Sequence, residues 1–199
     1  MKKLLSALLV LSLLVCCIAS FSSCDLIEKI LPQDNEEKNP EAEKTPEAEK
    51  KPATPEVPEG YKLFKNDDIS FAYPDNWGSE IGSVSILQEL STSNNITVAY
   101  EAKTTMYDDM TVSEFKKMMQ PATSSVGMTI SNVSISKEKT NNLDVIKITY
   151  DVSLSGVEMT QTIFITHIDD KTYSITLTEV MASKEVKETL FKTLYAIED

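Results

Sequence analysis

LDVIKITYDVSLSGVEMTQTIFITHIDDKTYSITLT, residues 143–178, is the stretch on which the fold turns. Ile146, Ile148, Tyr150, Val152 and Leu154 alternate with Lys147, Thr149, Asp151 and Ser153. Successive side chains of a strand point to opposite faces, so a period of two marks an extended segment with one apolar face. Val157, Met159, Ile163 and Ile165 repeat the pattern, and Tyr173, Ile175 and Leu177 face away from Thr172, Ser174, Thr176 and Thr178. Ser155-Gly156 and Asp169-Asp170-Lys171 are short connectors rich in turn residues, which predicts two hairpins joining three successive strands. Clean alternation of this kind favours an antiparallel sheet with one face open or differently covered.

Working outward, the same period predicts strands around Tyr61 and Leu63, around Ile69, Phe71 and Tyr73, around Val84 and Ile86, and around Ile96, Val98 and Tyr100. Met128 to Ser136 reads as a further strand whose apolar phase slips between Ile130 and Val133. Two segments switch to helical spacing. Thr111-Val112-Ser113-Glu114 is a capping box; Val112, Phe115 and Met119 then fall on one side, with Pro121 expected to end the helix. Ser183 is placed to cap a last helix whose stripe is Val186, Leu190, Leu194 and Ile197. The expectation for residues 61–199 is an α+β domain, an antiparallel sheet of about six to seven strands packed with helices.

After its opening strand the chain reads Phe71-Ala72-Tyr73-Pro74-Asp75-Asn76-Trp77. This resembles the F-x-Y-P-x-x-W start of PsbP-like domains. The Thr111–Phe115 helix start and the long hairpins before a C-terminal helix fit the same layout, so the likeness spans residues 61–199. The resemblance implies an α/β/α sandwich of the PsbP/Mog type, a fold whose members are mainly binding or assembly factors rather than enzymes. A photosynthetic role is not implied, because no residue here encodes one. In the residues themselves, Pro74 has no N–H to continue a ladder, and Trp77, the only tryptophan, is expected to plug the sheet's edge.

The other end of the chain is built differently. Met1-Lys2-Lys3 opens with charge, LLSALLVLSLLVCCIA follows from Leu4 to Ala19 with none, and Ser20-Phe21-Ser22-Ser23-Cys24 ends the run. That order is the signature of a secretory signal peptide over residues 1–23, and the run is short for a spanning helix. Phe21-Ser22-Ser23-Cys24 resembles the lipobox of bacterial lipoproteins, with Phe21 standing where Leu is usual. The resemblance implies cleavage between Ser23 and Cys24 and a diacylglycerol, with acyl chains such as palmitate, joined to the Cys24 thiol. Two acyl chains anchor stably where one does not. Cys16 and Cys17 would leave with the signal peptide, so the mature chain is expected to hold no free thiol for a disulfide, nucleophile or metal. Residues 24–60 follow with six of the eight prolines and the near-repeat Pro40-Glu-Ala-Glu-Lys-Thr, Pro46-Glu-Ala-Glu-Lys-Lys. Too polar to offset its ordering entropy, this segment is expected to be a disordered spacer; if polyproline-like it reaches roughly 100 Å.

Charge and chemistry narrow the function. The net charge is −12, of which residues 61–199 contribute −8 through 20 acids against 12 lysines, and there is no arginine. A nucleic-acid partner is therefore not expected. No cofactor or metal is expected either: there is no glycine-rich phosphate loop, no Gly-x-Ser-x-Gly elbow and no second histidine. His167, lacking a His or Cys partner, reads as a structural or rim residue beside Asp169 and Asp170. The connector pairs Asp67-Asp68, Asp108-Asp109 and Asp169-Asp170 would hold Ca²⁺ only if several gathered at one end of the sheet. The function expected is a membrane-tethered, extracytoplasmic binding or assembly module, not an enzyme, with another exported protein or a small ligand as partner. The Thr-rich sheet face is its candidate contact. The alternatives are an envelope-acting hydrolase with a carboxylate site and a purely structural surface protein.

Overall fold

The computed structural model describes residues 55–82, 84–89 and 91–197. Ser23, Cys24 and most of the spacer lie outside the described residues. In chain order the elements are β1 (Tyr61–Lys65), β2 (Ile69–Pro74), β3 (Gly78–Glu80), β4 (Ser85–Gln88), β5 (Asn95–Ala102) and α1 (Val112–Val126). Then come β6 (Met128–Thr140), β7 (Leu143–Leu154), β8 (Val157–Ile168), β9 (Lys171–Glu179), α2 (Lys184–Thr193) and β10 (Tyr195–Ala196). The chain is α+β, with an antiparallel seven-stranded sheet in the order β3-β4-β5-β9-β8-β7-β6 and a small sheet β1-β2-β10. No helix among the described residues is long and apolar enough to cross a membrane.

The three strands of residues 143–178 form as their alternation requires. Ile148 stands opposite Ile163 and Thr149 opposite Thr162, while Phe164 stands opposite Ile175. Ser155 and Gly156, both at positive φ (52° and 84°), make the two-residue turn whose twist suits a hairpin. Asp169 and Asp170 alone make the next connector, and Lys171 already belongs to β9.

The apolar faces do not all point the same way. Ile146, Ile148, Tyr150 and Val152 of β7, with Ile163 and Ile165 of β8, bury one core together with Phe115 and Met119 of α1. Ile96 and Val98 of β5 and Tyr173, Ile175 and Leu177 of β9 bury a second core on the opposite face. That core is closed by Phe71, Tyr73 and Trp77 and by Val186, Leu190 and Leu194. The large sheet is therefore the middle of three layers, and β8, with Gln161 to Thr166 buried on both faces, is where the covering changes sides.

Several expectations need correction. Phe64, not Leu63, faces the core from β1, and stacks on Phe71 with ring centroids 4.8 Å apart; Leu63 is exposed. In β4 the buried apolar position is Leu87, paired with Ile96, rather than Val84 or Ile86. The phase slip of β6 is a bulge between Ser131 and Ser134 with Asn132 at φ 50°, and the strand runs on to Thr140. Pro121 does not end α1. Its fixed φ is helical and it faces solvent, so only one helical bond is lost; Gly127, at φ 69°, stops the helix by donating its N–H to Thr123 O. Val112 is exposed, and the buried stripe is Phe115, Met119 and Thr123. The Thr111–Glu114 capping box is formed. Ser183 sits at the start of α2 without a capping side-chain bond; its N–H donates to Glu179 Oε1 at 2.7 Å instead. Leu194 is buried but follows the helix, and Ile197 lies beyond β10.

Candidate functional site

His167 is the penultimate residue of β8. The period that buries Ile163 and Ile165 on the α1 side carries His167 to the same side, beyond the end of the core and opposite Thr172. There the segment between β5 and α1 closes over it. Lys103 N–H donates to Asp170 O at 2.7 Å, the Lys103 ammonium to Asp169 O at 3.0 Å, and Thr104 N–H to Thr172 Oγ1 at 3.0 Å. Tyr107 is buried in the α1-side core and fixes the middle of the segment. Asp108 follows, its Oδ1 lying 2.8 Å from His167 Nε2. The ring's other nitrogen, Nδ1, lies 3.0 Å from Thr172 Oγ1, so the imidazole is held at both ends.

Asp108 and His167 wall one side of a cleft of about 220 Å³. Val145, Ile146 and Ile165 supply its apolar part, and Asp108, Asp144, Lys137 and His167 ring it with ionisable groups. Lys137 is drawn toward Asp109 (3.1 Å) and Asp144 toward Lys139 (3.0 Å), both pairs largely exposed. Such pairs are screened and contribute little to stability, so they can exchange partners. Glu138, also at the cleft, is held below its usual range by the Ser136 hydroxyl and by the Lys147 ammonium at 3.2 Å.

Asp108, His167 and Thr172 stand in a row like an acid–base–hydroxyl relay, but with the exposures reversed. A hydroxyl nucleophile must face substrate and its acid sits behind. Here Thr172 is 0% exposed, its oxygen accepting the Thr104 N–H, while the Asp108 carboxylate is 37% exposed at the mouth. The row orients the imidazole; it does not arm a hydroxyl.

The three acidic pairs do not assemble into one ligand set. Asp68 accepts from the Lys171 ammonium (2.5 Å) and from the Tyr173 hydroxyl, which hold its carboxyl below the usual range in that order of weight. Asp108 goes to His167 and Asp109 to Lys137, while Asp169 and Asp170 offer backbone carbonyls to Lys103. Among the described residues no group of three or more His, Cys, Asp or Glu side chains is placed to hold a metal. The Thr-rich face is not an open surface: Thr172, Thr176 and Thr178 are 0%, 5% and 1% exposed. Their hydroxyls serve buried bonds, as where Gln161 Nε2 donates to Thr178 Oγ1 while Gln161 Oε1 accepts from Tyr150. Phe71, Tyr73 and Trp77 belong to the opposite core, and Pro74 ends β2; Trp77 O accepts the Lys62 ammonium at 2.8 Å. This motif is structural and takes no part in the cleft. Sequence reading placed His167 beside Asp169 and Asp170; its acidic partner is Asp108, 59 positions away, a pairing that no local pattern announces.

No family model and no curated protein matches this chain. Among solved structures, a protein from Bacteroides thetaiotaomicron aligns at 17% identity and a TM-score of 0.44, over 66% of this chain. The alignment spans 46% of that longer protein. LpqN, involved in cell envelope biogenesis of Mycobacterium tuberculosis, aligns at 12% identity and a TM-score of 0.38, over 65% of this chain and 83% of LpqN. PA94 of Pseudomonas aeruginosa, of unknown function, aligns at 12% identity and a TM-score of 0.30, over 59% of this chain and 81% of its own. Likeness at this level assigns neither family nor activity.

Proposed function

We propose that the chain is an exported lipoprotein, cut between Ser23 and Cys24 and held on the extracytoplasmic face of the cell membrane by lipid on Cys24. Its folded part is a binding or assembly module for another exported protein, standing off the membrane on the proline-rich spacer. The observation that carries the binding role is the cleft between the 103–111 segment and the β6–β7 hairpin. Ionisable side chains ring an apolar floor there, and the one hydroxyl aligned with His167 is turned inward. This arrangement suits recognition, in which a few placed polar groups around an apolar surface set specificity. Among the described residues the cleft's lining holds no hydroxyl or thiol side chain, which a hydrolase working through a side-chain nucleophile of that kind would need. The PsbP-like motif and the lipobox likeness favour the same reading.

Two measurements test it. Mass spectrometry of the membrane-extracted protein should find a diacylated N-terminal Cys24, and Cys24→Ser should move the protein out of the membrane fraction. An intact, unlipidated Met1 terminus would refute the anchor. A photo-crosslinker at position 144 in intact cells should recover a specific partner that one at exposed Ile81 does not; no specific adduct from either site would refute the binding role.

A further inference from the structure

The cleft is small. Pockets for drug-sized ligands and cofactors run to about 300–1,000 Å³, so about 220 Å³ admits one side chain or a fragment of that size. Its walls select among side chains. Ile146 and Ile165 offer an apolar bed, and Asp108 and Asp144 lie in the same lining. Asp108 gives only Oδ1 to His167, and its Oδ2 has no hydrogen bond among the described residues. Among the described residues the Asp144 carboxylate is tied by the exposed pair with Lys139. The one ammonium in the lining, Lys137, is drawn to Asp109. An anionic group entering here would meet two carboxylates; a cationic one would find two carboxylate oxygens available. Residues 61–199 carry a net charge of −8, which favours the approach of basic partners from a distance.

Resting on the binding role proposed above, we propose that the cleft takes a single lysine or arginine side chain presented by an exported protein partner. The aliphatic stem lies on Ile146 and Ile165, and the cationic head pairs with Asp108 and Asp144. Long basic side chains bury their stems on apolar surface while keeping the head polar, which is the mixture this cleft presents. His167 is a positioning residue: by holding Oδ1 it aims the second oxygen of Asp108 at the incoming cation.

The test titrates the ¹⁵N-labelled full chain in detergent micelles with Nα-acetyl-arginine methylamide, Nα-acetyl-lysine methylamide and the uncharged Nα-acetyl-norleucine methylamide. At least one cationic probe should shift the amides of Asp108, Ile146 and His167, and norleucine should bind about tenfold more weakly or not at all, as loss of a charge-assisted contact requires. Asp144→Asn alone should weaken the cationic probe several-fold. Its side chain is 81% exposed, so the fold is untouched even if Asp108→Asn disturbs the 103–111 segment. Equal binding of norleucine, or no effect of Asp144→Asn, overturns the inference. So does tighter binding of cadaverine than of either capped residue, since the cleft would then be a site for a free amine. If in-cell cross-linking recovers a partner that Asp144→Asn does not disturb, this inference fails while the binding role stands; if no partner is recovered, the binding role itself fails.

Discussion

Replacing Trp77 by alanine removes the chain's one indole from the layer between the two sheets, where it is 3% exposed among Phe71, Tyr73 and Leu87. A buried tryptophan hides roughly 150–250 Å², and at about 25 cal/mol per Å² the transfer term is about 4–6 kcal/mol. Trp→Ala substitutions in cores cost about 3–5 kcal/mol. A loss of about 4 kcal/mol is therefore expected, a large share of the ~5–15 kcal/mol that holds a domain together. At a urea slope of about 2 kcal/mol per M this moves the midpoint down by about 2 M. Far-UV circular dichroism is the assay, since the fluorophore leaves with the substitution. Trp77→Phe keeps an aromatic ring in the site and should lose clearly less. Ile81→Ala, at a position 64% exposed, should stay within about 0.5 kcal/mol of the parent and serves as control. A Trp77→Ala midpoint within about 0.3 M of the parent would refute the placement of this residue between the layers.

Tyr150→Phe removes the hydroxyl that donates to Gln161 Oε1 in the α1-side core and should cost about 1–3 kcal/mol, read by the same unfolding curves; an unchanged midpoint would show that the buried network adds nothing. Asp68 contributes stability that is fully present above the unfolded carboxyl's pKa of about 3.9 and is lost as pH falls through its lower folded value. Asp68→Asn should therefore flatten the acid limb of the stability–pH profile, and parallel limbs in parent and variant would refute the Asp68–Lys171–Tyr173 link. The Tyr173 hydroxyl is pushed up by burial and then by its bond to Asp68. Its contribution is fully present below about pH 10 and is lost as pH rises toward the folded value. Tyr173→Phe should remove that part of the alkaline limb, which a pH-dependent melting series measures.

Local pattern was enough to find the strands of residues 143–178, the capping box at Thr111 and the Val186 and Leu190 face of α2, though not where that helix ends, because each rests on contacts within a few residues. It misjudged β1 and β4, where short strands carry apolar residues on both phases. There the choice of Phe64 over Leu63 and Leu87 over Val84 and Ile86 falls to whichever side another layer covers. It misjudged Pro121 because proline's ban is on one hydrogen bond, and an exposed helix face can leave that carbonyl to water. The threonines of β9 read as a wet face from their polarity alone, yet they are buried with their hydroxyls paired.

By itself the sequence determined the α+β class, the antiparallel hairpins and the acidic charge, all of which are written in neighbours along the chain. Only the tertiary structure decided that the large sheet has a different core on each face. It alone brought Asp108, from the segment before α1, against His167 at the end of β8 and made a cleft of them. The reason is geometric. A period of two tells which side chains share a face, but not what covers that face, and a pair 59 positions apart meets only when the strands between them have taken their places in the sheet.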